Sequence, residues 1–237
     1  MSNPFGTGKS SKLAVTRWGR DELANSALWQ DIGTGDTMAV AEDATYGTYF
    51  KTTLSGSDND NGGIYFKIAS VSPKLNSRGR FVARVAIDEA GTDNADFAFG
   101  LSSGLATGGT AVFSDTASTL ASQDALIIYK LAESLFWRAA QVNAAVATGS
   151  GVTPAAVVDN TWYELDIEWA VYTDGVHAKF RVDGTVIYTI GFGSSVSAVT
   201  IASWTAMYLG IQIKATNTNA EVARFLPMLI EIDNSGT

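Results

Sequence analysis

The feature that most restricts this chain is a two-residue alternation of apolar and polar side chains, repeated along its length with almost no helical periodicity. Across RGRFVARVAID (78–88), Phe81, Ala83, Val85 and Ile87 fall on one face while Arg80, Val82, Arg84 and Ala86 fall on the other. A strand between a core and a second environment needs that pattern. Similar runs at 62–70, 94–103, 124–132, 134–142, 161–172, 177–190, 206–215 and 222–232 are separated by Gly, Asn, Asp and Ser clusters, and they predict nine or more strands. Asp174-Gly175 and Asp183-Gly184 lie between strand patterns, where the positive φ of a tight hairpin turn is needed. Residues 149–160 read as a connection between sheets, and Asp21 to Ala27 as one short helical turn.

No linker divides the 237 residues, so residues 21–237 are expected to form one all-β domain, a two-sheet antiparallel sandwich. Apolar residues at 46% supply a sizeable core, and charged residues at 17% leave a lightly charged surface. The net charge of −8 disfavours nucleic acid and anionic membrane as partners, because both require clustered cations. The charge is unevenly placed. Residues 1–20 hold Lys9, Lys12, Arg17 and Arg20, and all 24 acids follow them. That Gly/Ser-rich stretch reads as an extended basic arm. Cysteine is absent, which removes disulfides and thiolate metal sites. The first residues lack the pattern of a secretion signal and no apolar run reaches membrane-spanning length, so the chain is expected to be made in a host cytoplasm without export.

WYELDIEW (162–169), followed by a turn and AKFRVDGTVIYTI (178–190), resembles the paired strands of laminin-G-like and other concanavalin A-like domains. FAFGLSS (97–103), MYLGIQIKA (207–215) and FLPMLIEID (225–233) are similar to further strands of that superfamily. The resemblance implies a jelly-roll fold, which by itself assigns no function.

Within that stretch, Glu164, Asp166 and Glu168 match the E-x-D-x-E spacing of family 16 glycoside hydrolases. The resemblance implies Glu164 as nucleophile, Asp166 as its helper and Glu168 as acid/base. Alternation puts the three carboxylates on one sheet face, the geometry a glycosidase cleft requires. In those hydrolases, however, the catalytic strand lies well upstream of the V-D-G hairpin, whereas here it is the hairpin's own partner. A solvent-facing polar row yields the same residues, so no enzymatic activity and no catalytic residue is expected.

Other motifs fall short of a site. Gly8-Lys9-Ser10 lacks the first glycine of a phosphate loop, since Asn3 stands there. Asp58-Asn59-Asp60-Asn61-Gly62-Gly63 is rich in oxygen ligands, but Gly62 replaces the third ligand of a calcium loop and Ala69 stands where its bidentate Glu belongs. A turn is expected there, with no metal and no cofactor. His177, the sole histidine, reads as a partly exposed strand residue. The six tryptophans, Trp18, Trp29, Trp137, Trp162, Trp169 and Trp204, are expected mostly in the core.

In style the chain resembles tailed-phage virion proteins, above all capsid decoration (cement) proteins. That resemblance implies a non-enzymatic bacteriophage structural protein located in the virion, a homo-oligomer with a trimer plausible. Its arm would dock on capsid or other virion subunits through Phe5, Lys9, Lys12, Arg17, Trp18 and Arg20. The alternatives are a carbohydrate-binding module of a phage tail or head fibre, with an exposed Trp or Tyr in a concave groove contacting a glycan, and a family 16-like hydrolase.

Overall fold

A computed structural model of the chain describes residues 12–15, 29–33, 36–71, 75–89, 95–107, 112–113, 120–121, 123–132, 134–143, 146–195, 197–198, 207–226 and 229–233. In chain order the strands are β1 (Lys12–Val15), β2 (Trp29–Asp31), β3 (Asp36–Asp43), β4 (Gly47–Leu54), β5 (Asn61–Val71), β6 (Arg78–Asp88), β7 (Ala95–Ser102) and β8 (Ala125–Lys130). They continue with β9 (Arg138–Asn143), β10 (Val146–Val152), β11 (Tyr163–Tyr172), β12 (Gly175–Val182), β13 (Thr185–Ile190), β14 (Met207–Ala215), β15 (Val222–Phe225) and β16 (Leu229–Asp233). Nine strands form one sheet in the order β13-β12-β11-β6-β15-β4-β3, with β16 beside β6 and β1 beside β16. Seven form the other, in the order β10-β9-β8-β7-β14-β5-β2, and every pairing is antiparallel.

The core lies between the sheets and follows from register. On the nine-stranded sheet Ile167 stands opposite both Phe81 and Phe180, and Leu165 opposite Ala83 and Val182. Across the gap Phe97, Phe99, Leu126, Ile128, Leu209, Ile211 and Ile213 complete the same buried cluster, with Trp137 and Trp169 fully enclosed. Each such side chain contributes about 1.5–3 kcal/mol on leaving water. Where β8 ends, Lys130 forms a 2.7 Å ion pair with Glu89, each side chain 2% exposed. Glu89 also accepts the Ala95 N–H, so the buried pair ties three elements at the rim of the sandwich.

The seven-stranded sheet is covered on its outer face as well. There Tyr65, Ala98, Ile127, Tyr129, Ala140 and Val142 meet Leu105, from the 3-10 turn Gly104–Thr107, together with Val112 and Phe113. Hydrogen bonds fix this cover. Gln212 Oε1 accepts the Val112 N–H at 2.9 Å and Gln212 Nε2 donates to Asn61, while Gln123 donates to the Val112 carbonyl. A glycine row crosses the same sheet: Gly63 and Gly100 have φ of 142° and 141°, and Gly210 pairs with Gly100. A Cβ on Gly100 would stand 2.2 Å from the Leu126 carbonyl oxygen, and one on Gly63 2.1 Å from that of Ile211. Only glycine combines that backbone with that approach.

Several elements depart from expectation. The β3–β4 hairpin and the short strands β1 and β2 were not legible as strands, and β10 occupies part of the expected connection at 149–160. The run 222–232 is two strands, because the ladder stops at Phe225 and resumes at Leu229 with Pro227 between them in the sequence. The strand expected from 134 starts at Arg138. Asp21 to Ala27 lie outside the described residues. The glycine row yields a prediction: Gly100→Ala should destabilise the domain by about 2–4 kcal/mol, measured as a lower urea midpoint at unchanged slope.

Candidate functional site

Among the described residues, cover of this kind lies on the seven-stranded sheet and not on the outer face of the nine-stranded one, where β11 carries a polar row. Alternation turns Leu165, Ile167 and Trp169 inward and Glu164, Asp166 and Glu168 outward, as expected from the sequence. Cross-strand register supplies each carboxylate with a cation, since Glu164 faces Arg84 on β6, Glu168 faces Arg80, and Asp166 faces Arg181 on β12. Arg80 binds both Asp166 oxygens, at 3.0 and 2.9 Å. Arg181 bridges Asp166 at 3.0 Å and Glu168 at 2.6 Å. Arg84 donates twice to Glu164 Oε2 at 3.2 Å. The hydrogen bond to Asp166 raises the Arg80 guanidinium above its ordinary value.

At the Glu164 end this row opens into a cleft of about 450 Å³ lined by Tyr46, Arg84, Trp162, Glu164, Asp183 and Gly184. Local sequence positions each wall. Asp43 Oδ1 accepts the N–H groups of Thr45 and Tyr46 at 2.7 and 3.0 Å, shaping the β3–β4 turn that presents Tyr46, 41% exposed. Trp162 packs against Tyr46 at 5.1 Å between ring centroids and against Tyr49 at 5.9 Å. Opposite, Asp183 takes φ of +48° in the β12–β13 turn, its Oδ1 accepts the Glu164 N–H at 2.7 Å and its own N–H donates to the Glu164 carbonyl. Gly184 has open space above it. An exposed ring and a part-buried one beside a guanidinium and two carboxylates can hold a flat ligand that has one apolar face and hydrogen-bonding edges.

The other end of β11 carries a second aromatic group. Tyr172, 46% exposed, meets His177 at 4.7 Å and Phe192 at 6.3 Å. His177 is buried rather than partly exposed, 9% accessible, because these two rings enclose it and Gly191 leaves it room. Its Nδ1 accepts the Phe192 N–H at 2.7 Å, which leaves Nε2 to donate to Asp174 at 2.8 Å. That bond lowers the Asp174 carboxyl below its ordinary value. Lys179 lies 5.4 Å from the Phe192 ring centroid.

Of the residues expected to dock a partner, Phe5, Lys9, Arg17, Trp18 and Arg20 lie outside the described residues, as does Gly8-Lys9-Ser10. Lys12 begins β1, whose backbone pairs with β16 of the protein's own sheet, Lys12 opposite Asp233. Asp58 to Asp60 form a turn in which Asp60 accepts from Ser57 N–H and the Ser55 hydroxyl. Among the described residues no three His, Cys, Asp or Glu side chains are grouped to hold a metal. Trp162 and Glu164 were singled out from the sequence. Tyr46 and Asp183 were missed, and only the D-G signature of a turn hinted at Asp183.

No family model and no curated protein sequence matches the chain. Solved structures do. The metal-free Emp46p carbohydrate recognition domain aligns at TM-score 0.56 and 15% identity, over 92% of this chain and 95% of that one. An endo-1,3-β-glucanase from Streptomyces sioyaensis aligns at 0.51 and 12%, over 88% and 89%. A carbohydrate esterase from the Shiga toxin-encoding bacteriophage phi24B aligns at 0.50 and 16%, over 87% and 90%. At these identities the likeness carries the fold alone, an all-β, two-sheet antiparallel jelly-roll sandwich, which is the fold expected from the sequence.

The polar row yields a prediction of unequal costs. Asp166→Asn, which weakens a 4%-exposed carboxylate held by two arginines, should lower stability by about 1–3 kcal/mol. Arg84→Ala, at an exposed pair, should cost less than about 1 kcal/mol. Chemical denaturation of both variants compares them.

Proposed function

We propose that this protein is a non-catalytic carbohydrate-binding β-sandwich whose glycan occupies the cleft between Tyr46 and Trp162. The observation that carries the reading is the juxtaposition of the exposed Tyr46 ring and the part-buried Trp162 ring with Arg84, Glu164 and Asp183 in one open cleft. A pyranose has a C–H face that lies on an aromatic ring and a rim of hydroxyls that bond to charged planar groups. Solved structures of the same fold include a carbohydrate recognition domain, a glucanase and a carbohydrate esterase, which supports the ligand class. The state of the carboxylates supports a non-catalytic role. Both oxygens of Asp166 and one each of Glu164 and Glu168 are taken up by guanidinium groups, whereas glycoside hydrolysis uses carboxyls free to attack and to protonate. Glycan-array binding is the expected outcome, with Trp162→Ala weakening the best ligand about tenfold or more while the variant stays folded at the assay temperature. An array without signal, or binding undiminished in Trp162→Ala, contradicts the assignment.

The setting we favour is the virion of a bacteriophage, as a fibre or surface module, and the fold shared with a phage protein supports it. The second reading, a capsid decoration protein docked by its basic N-terminal residues, draws on the same likeness and on the clustering of Lys9, Lys12, Arg17 and Arg20 ahead of every acid. Replacing Lys9, Arg17 and Arg20 together by Ala, which leaves β1 untouched, separates the two. Decoration predicts loss of particle attachment with the sandwich intact, and glycan binding predicts retained attachment to the array.

A further inference from the structure

We infer that the ligand is a long, neutral, linear polysaccharide lying lengthwise along the outer face of β11, with its two ends on the aromatic groups at Trp162 and Tyr172. The inference rests on the carbohydrate reading and extends it from one cleft to a track. Residues 162, 164, 166, 168, 170 and 172 share one face of the strand by alternation, and the described burial agrees, Leu165, Ile167, Trp169 and Val171 being turned into the core. Ten residues of extended chain separate the two aromatic groups by about 33 Å, longer than any one or two sugar rings can span. Two stacking platforms on one face of one strand therefore serve a single ligand only if it is a chain of several units.

The surface between them suits such a chain. The side chains of Glu168, Arg80 and Arg84 are 43%, 46% and 56% exposed, so the floor presents hydrogen-bonding groups along the path. Its charges also leave no excess of cations, since five carboxylates stand along it against Arg80, Arg84, Arg181 and Lys179. Glu164, Asp166 and Glu168 are each paired with an arginine, Asp183 and Asp174 stand at the two ends, and Lys179 lies near Phe192. A polyanion would need an excess of cations along its path, and here the carboxylates cancel it. At the far end Tyr172 is held upright by His177 and Phe192, and His177 is itself fixed by Asp174 and the Phe192 N–H, so the ring is positioned before any ligand arrives.

The test uses the full chain and calorimetric titration with disaccharides and hexasaccharides of β-1,3-glucan, β-1,4-glucan, α-1,6-glucan, β-1,4-mannan and β-1,4-xylan, with dextran sulfate as the anionic probe. For at least one neutral series the hexasaccharide should bind about tenfold or more tightly than the disaccharide. Tyr172→Leu, which keeps an apolar side chain against His177, should remove that gain. Trp162→Ala should weaken both lengths. Equal affinity for both lengths, a gain that survives Tyr172→Leu and Tyr172→Ala, or tighter binding of dextran sulfate than of every neutral probe overturns the track while leaving the cleft as a glycan site. No binding by any probe at either length overturns the track and the carbohydrate reading together.

Discussion

The register that aligns β6, β11 and β12 is the constraint on which the rest of this molecule depends. With Ile167 opposite Phe81 and Phe180, the inward residues close the core, and the same alignment sets Glu164 against Arg84 and Asp166 against Arg181 outside. A slip of one residue on β11 would reverse both faces. Three carboxylates would then enter the core without partners, at several kcal/mol each, and Leu165, Ile167 and Trp169 would enter water. The energy that selects the sandwich thus also builds the outward row. No separate device is needed to place these outward side chains, because burial of their neighbours places them.

The two sheets divide their labour unequally. The seven-stranded sheet is buried on both faces over much of its described length, its glycine row lets β5, β14 and β7 approach closely, and Leu105, Val112 and Phe113 pack on its outer side. The nine-stranded sheet is wider, with hairpins at both lateral edges, and those hairpins rise beside the polar row. The β3–β4 turn brings Tyr46 to Trp162 and the β12–β13 turn brings Asp183 to Glu164. A cleft assembled from two turns on a rigid sheet has little freedom to lose on binding.

How much of this was legible in the sequence depends on whether the signal was local. The D-G dipeptides marked both turns of β11–β12–β13, and alternation in 78–88 and 163–172 placed the inward and outward residues correctly. The β3–β4 hairpin was missed because its turn, Asp43 to Gly47, has no D-G or N-G pair, and because DTMAVAED leaves Ala39 and Val40 exposed. β10, VATGSGV, is too rich in small residues to register as a strand. Pro227 could have announced the break between β15 and β16, yet the apolar run around it dominated. Sites formed across long sequence distances stayed hidden. Nothing near Tyr46 points to Trp162, and nothing near His177 shows that Phe192 and Tyr172 will bury it.

The central claim is that the outer face of the nine-stranded sheet at β11 receives a glycan. A crystal structure of the protein soaked with a hexasaccharide of the tightest-binding neutral glycan tests this most directly. The account predicts a sugar ring stacked on Trp162, hydroxyls within hydrogen-bonding distance of Arg84 or Asp183, and further rings running toward Tyr172. Density for the sugar on any other surface, with the β11 face empty, would contradict it.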